Sequence, residues 1–205
     1  MRIANHRLRL DDGSAAAFVR SPNYEGDISA HEYLVMHFTA GASAESSIRW
    51  LTDRRAKASA HLVIGRDGSL TQLVRFDKRA WHAGRSVWAD RVGLNSYSIG
   101  IELDNAGKLS RRGGAWVGWW GGEIPEDQVV EAVHRNETEP AGWHAFTEAQ
   151  LQAALDVAVA LVDKYGLRDV IGHDDIAPGR KTDPGPAFPM ESFRSRVLGR
   201  SEGEE

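Results

Sequence analysis

Two short runs, Tyr33–Phe38 and Ser98–Leu103, constrain the fold most. Each is six residues long and almost wholly apolar, as a strand covered on both faces must be. Each also holds one ionisable group that a buried strand tolerates only with a partner or a function. In the first run that group is His37, near the end, just before Thr39-Ala-Gly41. It is either a satisfied core histidine or a group aimed into a cleft at the strand end. In the second, period-two alternation puts Ile99, Ile101 and Leu103 on one face and Ser98, Gly100 and Glu102 on the other. The plain alternative is a half-exposed strand with a solvated Glu102.

The other elements are shorter or differently spaced. Residues 43–56 read as a helix with Ser43 as N-cap and with Ile48 and Leu51 facing inward. Residues 61–65 and 70–74 read as strands joined by a hairpin at 66–69. Thr147 and Gln150 make a capping box. It opens a helix with an apolar stripe of Leu151, Leu155, Ala158 and Val162, closed by Gly166. Residues 170–172 read as a short strand and 191–198 as a terminal helix. Strands and helices mix without strict βαβ alternation. The predicted fold is therefore α/β, with one mixed sheet flanked by helices.

A chain of 205 residues suits one such domain, 1–205. Residues 105–146 lack comparable periodicity, are rich in Gly and Trp, and read as an insertion within it, with 129–133 as a short extra strand. Residues 201–205 read as a solvated tail.

Composition removes several functions. The net charge is −4, with 25 Lys and Arg against 29 Asp and Glu, so the excess of cations that a duplex-binding surface needs is missing. The pairs Arg54–Arg55 and Arg111–Arg112 read as solvated faces. There is no cysteine, so disulfides are excluded and any metal must be held by His, Asp or Glu. Charges interrupt the first ten residues, unlike a signal peptide, and no stretch is long enough to span a bilayer. The expectation is a monomer made in the cytosol, with no nucleic-acid partner and no membrane span.

The segment 173–188 is rich in Pro and Gly and is expected to be a shaped loop leaving the 170–172 strand, neither helix nor central strand. It offers His173, Lys181 and Asp183. Taken alone, His173 in such a loop is more simply a turn residue among surface charges. Together with His37 and Glu102 the loop makes a candidate hydrolytic site. Two His and one Asp satisfy zinc and leave a fourth position for water, whose pKa zinc lowers to about 7. Glu102 could take the proton, and Lys181 could stabilise a tetrahedral intermediate.

The stretch 172–188, Gly-His-Asp-Asp-Ile-Ala-Pro-Gly-Arg-Lys-Thr-Asp-Pro-Gly-Pro-Ala-Phe, closely resembles the signature loop of AmpD-type N-acetylmuramoyl-L-alanine amidases. The segment 76–84, which ends Trp-His-Ala-Gly, resembles a second signature of that family. Ser59 to His61 with Arg66 to Gly68, and Asn95 with Ser98 to Glu102, are similar to two more. Residues 21–24 resemble the family's N-terminal segment.

The resemblance implies the mixed-sheet fold shared with peptidoglycan-recognition proteins. It implies one Zn2+ per chain held by His37, His173 and Asp183, with Glu102 as general base and Lys181 as electrostatic stabiliser. It puts His82 and Asn95 near the substrate, His61 in support, and leaves His6, His31, His134 and His144 without a role. The implied activity is hydrolysis of the amide between N-acetylmuramic acid and L-alanine in peptidoglycan or muropeptides. The alternatives are a non-catalytic peptidoglycan-binding module of the same fold and, more remotely, a structural zinc domain. For the enzyme, cytosolic recycling, a phage-type lysin and a delivered toxin all remain open. Two departures touch substrate choice: the compact 43–56 region, and the connection of about forty residues after the Glu102 strand.

Overall fold

The computed structural model describes residues 1–199; the tail expected at 201–205 lies outside them. A six-stranded sheet runs in the order Asp169–Gly172, Tyr33–Phe38, Ser98–Leu103, Leu62–Ile64, Leu70–Gln72, Ala17–Phe18. The first four strands are mutually parallel, Leu70–Gln72 turns antiparallel, and Ala17–Phe18 lies parallel to it. The expected mixed sheet is therefore what the chain builds.

Both faces are covered, which is why the central strands read as apolar. Helix Glu148–Tyr165 and terminal helix Met190–Leu198 bury one face, on a core that includes Leu34, Met36, Ile99, Ile101 and Leu103. The long helix opens on the expected capping box, with Thr147 Oγ1 accepting from Gln150 N–H at 3.1 Å. It closes at Gly166 in the left-handed conformation (φ 65°). On the other face Val35 and Ile171 pack with Ala83 and Leu94, while helix Ala44–Leu51 packs with Val63 and Leu73.

That second helix is shorter than the sequence suggested. Ser43 caps it as expected, but it stops at Thr52, whose hydroxyl bonds back to the Ile48 carbonyl. Asp53 then caps a separate 3-10 turn, Arg54–Ala56. The Pro- and Gly-rich segment also differs from expectation at its start. It holds one helical turn, His173–Ile176, begun when Gly172 N–H donates to Asp175 Oδ2 at 2.7 Å and followed by Pro178.

Residues 105–146 contain a five-stranded antiparallel sheet in the order Glu123–Ile124, Ala115–Val117, Lys108–Arg112, Pro140–His144, Val129–Val133. Its own small core is Ala106, Leu109 and Trp116, with Trp120, Ile124 and Val129 against it. No helix among the described residues is long and apolar enough to cross a membrane.

Candidate metal centre and active site

Strand register assembles the site. Glu102 lies opposite His37 on adjacent parallel strands, so both side chains leave the sheet on one face near its carboxyl edge. Gly172 lies opposite Met36, which delivers the next residue, His173, beside His37. The loop then folds back until Asp174 N–H donates to the Asp183 carbonyl at 2.8 Å, which brings Asp183 to the two histidines.

Three atoms converge there. His37 Nδ1 is 2.9 Å from His173 Nδ1 and 2.8 Å from Asp183 Oδ2, and His173 Nδ1 is 2.9 Å from the same oxygen. All three residues are buried and together form a group able to hold a metal ion. A triangle of that size fits one ion bonding to each atom at roughly 2.0–2.2 Å, and two nitrogens with one oxygen are a donor set zinc accepts. Burial, together with the charge of His173, lowers the His37 pKa to about 4 against the pull of Asp183. Burial pushes the Asp183 carboxyl up, but the nearness of His173 and His37 outweighs it and holds the group below the usual carboxylate range.

Glu102 stands beside this triangle in a different state. Burial, reinforced by the charge of Asp183 and opposed by Lys181, pushes its carboxyl well above the ordinary value. Its Oε2 is buried and has no hydrogen-bond partner. A buried carboxylate oxygen without a partner is costly unless something it serves arrives there. Lys181 is close enough to act electrostatically on both Glu102 and His37.

His82 and Asn95, expected near the substrate, each make hydrogen bonds within the protein. His82 is buried, with Nδ1 3.1 Å from His37 Nε2. Asn95 Oδ1 accepts from the N–H groups of His82 at 3.0 Å and Ala83 at 2.7 Å. His61 supports the strand as expected: its Nδ1 accepts from Gly100 N–H at 3.0 Å.

A cavity of about 650 Å3 opens at Glu102 and is lined by Thr39 to Ala42, Ser46, Ser47, Trp50, Leu51, Trp119 and Trp120. Glu102 is the one ionisable side chain in that lining. The four tryptophans of the insertion therefore divide. Trp143 (1% exposed) and Trp116 (6%) are packing residues, whereas Trp119 (76%) and Trp120 reach the cavity. Trp50 had no signal in the sequence beyond its place on the short helix.

His134 was also missed. From the insertion, its Nε2 bonds Asp174 Oδ2 at 3.0 Å, both residues buried, and so ties the insertion to the loop that carries His173 and Asp183. Forty residues separate the two, beyond the reach of any local pattern.

A family model described as N-acetylmuramoyl-L-alanine amidase matches residues 27–186. The 1,6-anhydro-N-acetylmuramyl-L-alanine amidase AmpD of Escherichia coli is 39% identical over 143 residues, 69% of this chain and 59% of that protein. The N-acetylmuramoyl-L-alanine amidase AmiD of the same organism is 31% identical over 175 residues, 81% of this chain and 53% of that protein. The match thus spans somewhat over half the length of these relatives. Among solved structures, an AmpD crystal structure superposes with a TM-score of 0.67 at 29% identity, over 96% of this chain and 99% of that one. The complex of E. coli AmiD with anhydro-N-acetylmuramic acid-L-Ala-D-gamma-Glu-L-Lys gives 0.62 at 28% identity, over 97% of this chain and 66% of that one.

Proposed function

This chain belongs to the N-acetylmuramoyl-L-alanine amidase family, and on that premise we propose that it hydrolyses the amide between N-acetylmuramic acid and L-alanine, with zinc held by His37, His173 and Asp183. The observation that carries the reading is the convergence of those three buried groups beside a carboxylate oxygen without a partner. A peptidoglycan-binding module of the same fold has no use for that pairing, which argues for catalysis.

When bound, zinc supplies Lewis acidity, lowering the pKa of a water to about 7 and polarising the amide carbonyl. Glu102 takes the proton from the attacking water and delivers it to the leaving nitrogen. Its raised proton affinity suits that second task, and a dication opposite it would draw the pKa back toward a working base. Lys181 stabilises the negative charge that develops on the carbonyl oxygen.

The cavity suggests how substrate lies. Its lining is apolar and aromatic and carries no cation, so it suits the uncharged sugar better than a stem peptide bearing carboxylates. One relative named for a 1,6-anhydro-N-acetylmuramyl-L-alanine and one solved with an anhydro-N-acetylmuramic acid peptide favour soluble anhydro-muropeptides as substrate. The test is to incubate the protein separately with soluble anhydro-muropeptides and with intact sacculi and to analyse products by mass spectrometry. Free stem peptide with an L-alanine amino terminus, released faster from the soluble fragments, is expected. Release of sugars only, or no cleavage with tight binding, would favour other readings.

A further inference from the structure

The segment 81–84 is not used by the chemistry above, yet two of its groups, the His82 ring and the Ala83 carbonyl, each reach one of the two histidines of the triangle. Those contacts fix where the protons sit. His82 Nε2 faces two atoms of Ser98, the hydroxyl Oγ at 3.3 Å and the carbonyl oxygen at 3.4 Å. The Ser98 hydroxyl already donates to the Leu94 carbonyl at 2.6 Å, so both atoms can only accept. His82 Nε2 must therefore carry a proton. The ring is buried and has no carboxylate among its hydrogen-bond partners, so it is neutral and its Nδ1 is a bare lone pair.

That lone pair lies 3.1 Å from His37 Nε2. It can only accept, so His37 Nε2 carries the proton and His37 Nδ1 is bare. On the second ligand, His173 Nε2 lies 3.1 Å from the Ala83 carbonyl, which also can only accept. His173 Nδ1 is bare as well. Two lone pairs and the Asp183 carboxylate oxygen thus meet at 2.8–2.9 Å with no proton among them. Three acceptors in that arrangement repel one another unless a cation lies between them.

We propose that segment 81–84 is a positioning element of the metal centre. The His82 ring and the Ala83 carbonyl hold the two ligand histidines in the tautomer that presents Nδ1 to the ion, and Asn95 clamps the segment. The clamp is the pair of N–H bonds, from His82 and Ala83, that Asn95 Oδ1 accepts. Gly100 is part of the same device: a Cβ there would come within 2.4 Å of His82 Cγ. Two sequence signatures, Trp-His-Ala-Gly at 81–84 and Ser-Ile-Gly-Ile-Glu at 98–102, so serve one structure. Partners of this kind commonly govern metal affinity about ten- to a hundredfold.

The inference rests on the reading of His37, His173 and Asp183 as metal ligands, and the experiment separates the two. Zinc affinity of the full chain is measured by chelator competition for the parent, His82→Ala, His82→Asn and Asn95→Ala, with the absorption spectrum of the cobalt-substituted forms. Expected for His82→Ala is a loss of affinity of about ten- to a hundredfold and a changed cobalt spectrum. His82→Asn, whose amide oxygen can accept in place of Nδ1, should recover most of the affinity. Asn95→Ala should move both readouts in the same direction as His82→Ala, by less.

Should His82→Ala fail to fold, ring-nitrogen NMR of the unaltered zinc protein still decides. It should show a proton on Nε2 of His37 and of His82, with Nδ1 of His37 bound to metal. A parent that binds zinc while His82→Ala keeps its affinity and spectrum overturns this inference alone. So does a proton on His82 Nδ1. A parent that takes up no zinc overturns the metal reading and this inference with it.

Discussion

Strand Ser98–Leu103 leads at its two ends into regions built on opposite terms. Toward Ser98 and Gly100, the chain meets His61, His82 and Asn95, all bonded within the protein, so that geometry is set before any substrate arrives. Toward Glu102 and beyond, it enters the cavity and the inserted sheet. There Trp119 is largely exposed and is tethered through its indole N–H to the Ala40 carbonyl. The first region has one solution for each side chain; the second offers an apolar wall. Damage to the first should abolish chemistry whatever the substrate, and damage to the second should be graded and substrate-dependent.

The largest effects are expected at the metal-facing triangle. Ala in place of His37, His173 or Asp183 should remove the metal and lower activity by about a thousandfold or more, since the group that activates water is lost. Metal analysis and turnover on the same samples check this, and a metal-free variant with parental turnover would erase the distinction between the two regions.

Glu102→Gln comes next. It should keep the metal and lower kcat by about a hundredfold or more, the usual worth of a positioned general base. Lys181→Ala should also spare metal and lower kcat with little change in KM, because its contact belongs to the transition state. Loss of metal in Glu102→Gln would move Glu102 from base to ligand.

The insertion should divide by tryptophan. Trp119→Ala should leave stability near parental and raise KM about three- to tenfold for glycan-bearing substrate, the worth of one aromatic contact. Trp143, buried against the His134 ring, should instead cost about 3–5 kcal/mol of stability on truncation to Ala. Urea titration and steady-state kinetics on both variants test the division, and identical profiles would remove it.

The smallest effect is on acid stability. Burial lowers the His61 pKa to about 4, from an ordinary value of 6.5. The unfolded chain therefore takes up the proton first as pH falls. The stabilisation is complete above about 6.5 and is lost progressively from there down through about 4. Urea midpoints at pH 7.5 and 5 should fall for the parent and fall less for His61→Gln. Equal declines would mean that His61 is not the source.

How much was legible follows from the range of each interaction. Alternation in Ser98–Leu103 exposed its two faces, and the Thr147 and Gln150 pair marked a helix start, because both signals are local. His37, Glu102, His173 and Asp183 stood out through the resemblance, and the parallel register explains why strands so far apart in sequence deliver them together. The strands of the insertion were mostly hidden. They are short, and stretches such as Lys108–Arg112 and Val129–Val133 face solvent over much of their length, so no apolar period survives. The contacts of His82 and Asn95 were hidden for another reason. Segment 81–84 carries a family signature, but only the packing of His82 over Gly100 and against His37 reveals what its side chain touches.

The central claim is that amide hydrolysis depends on one zinc ion at His37, His173 and Asp183. The direct measurement is to strip the purified protein with chelator, add zinc back in known increments, and follow release of stem peptide from anhydro-muropeptide. The account predicts no turnover in the stripped protein and a linear return that saturates at one zinc per chain. Full turnover in metal-free protein, or a return indifferent to the ratio of zinc to chain, would contradict it.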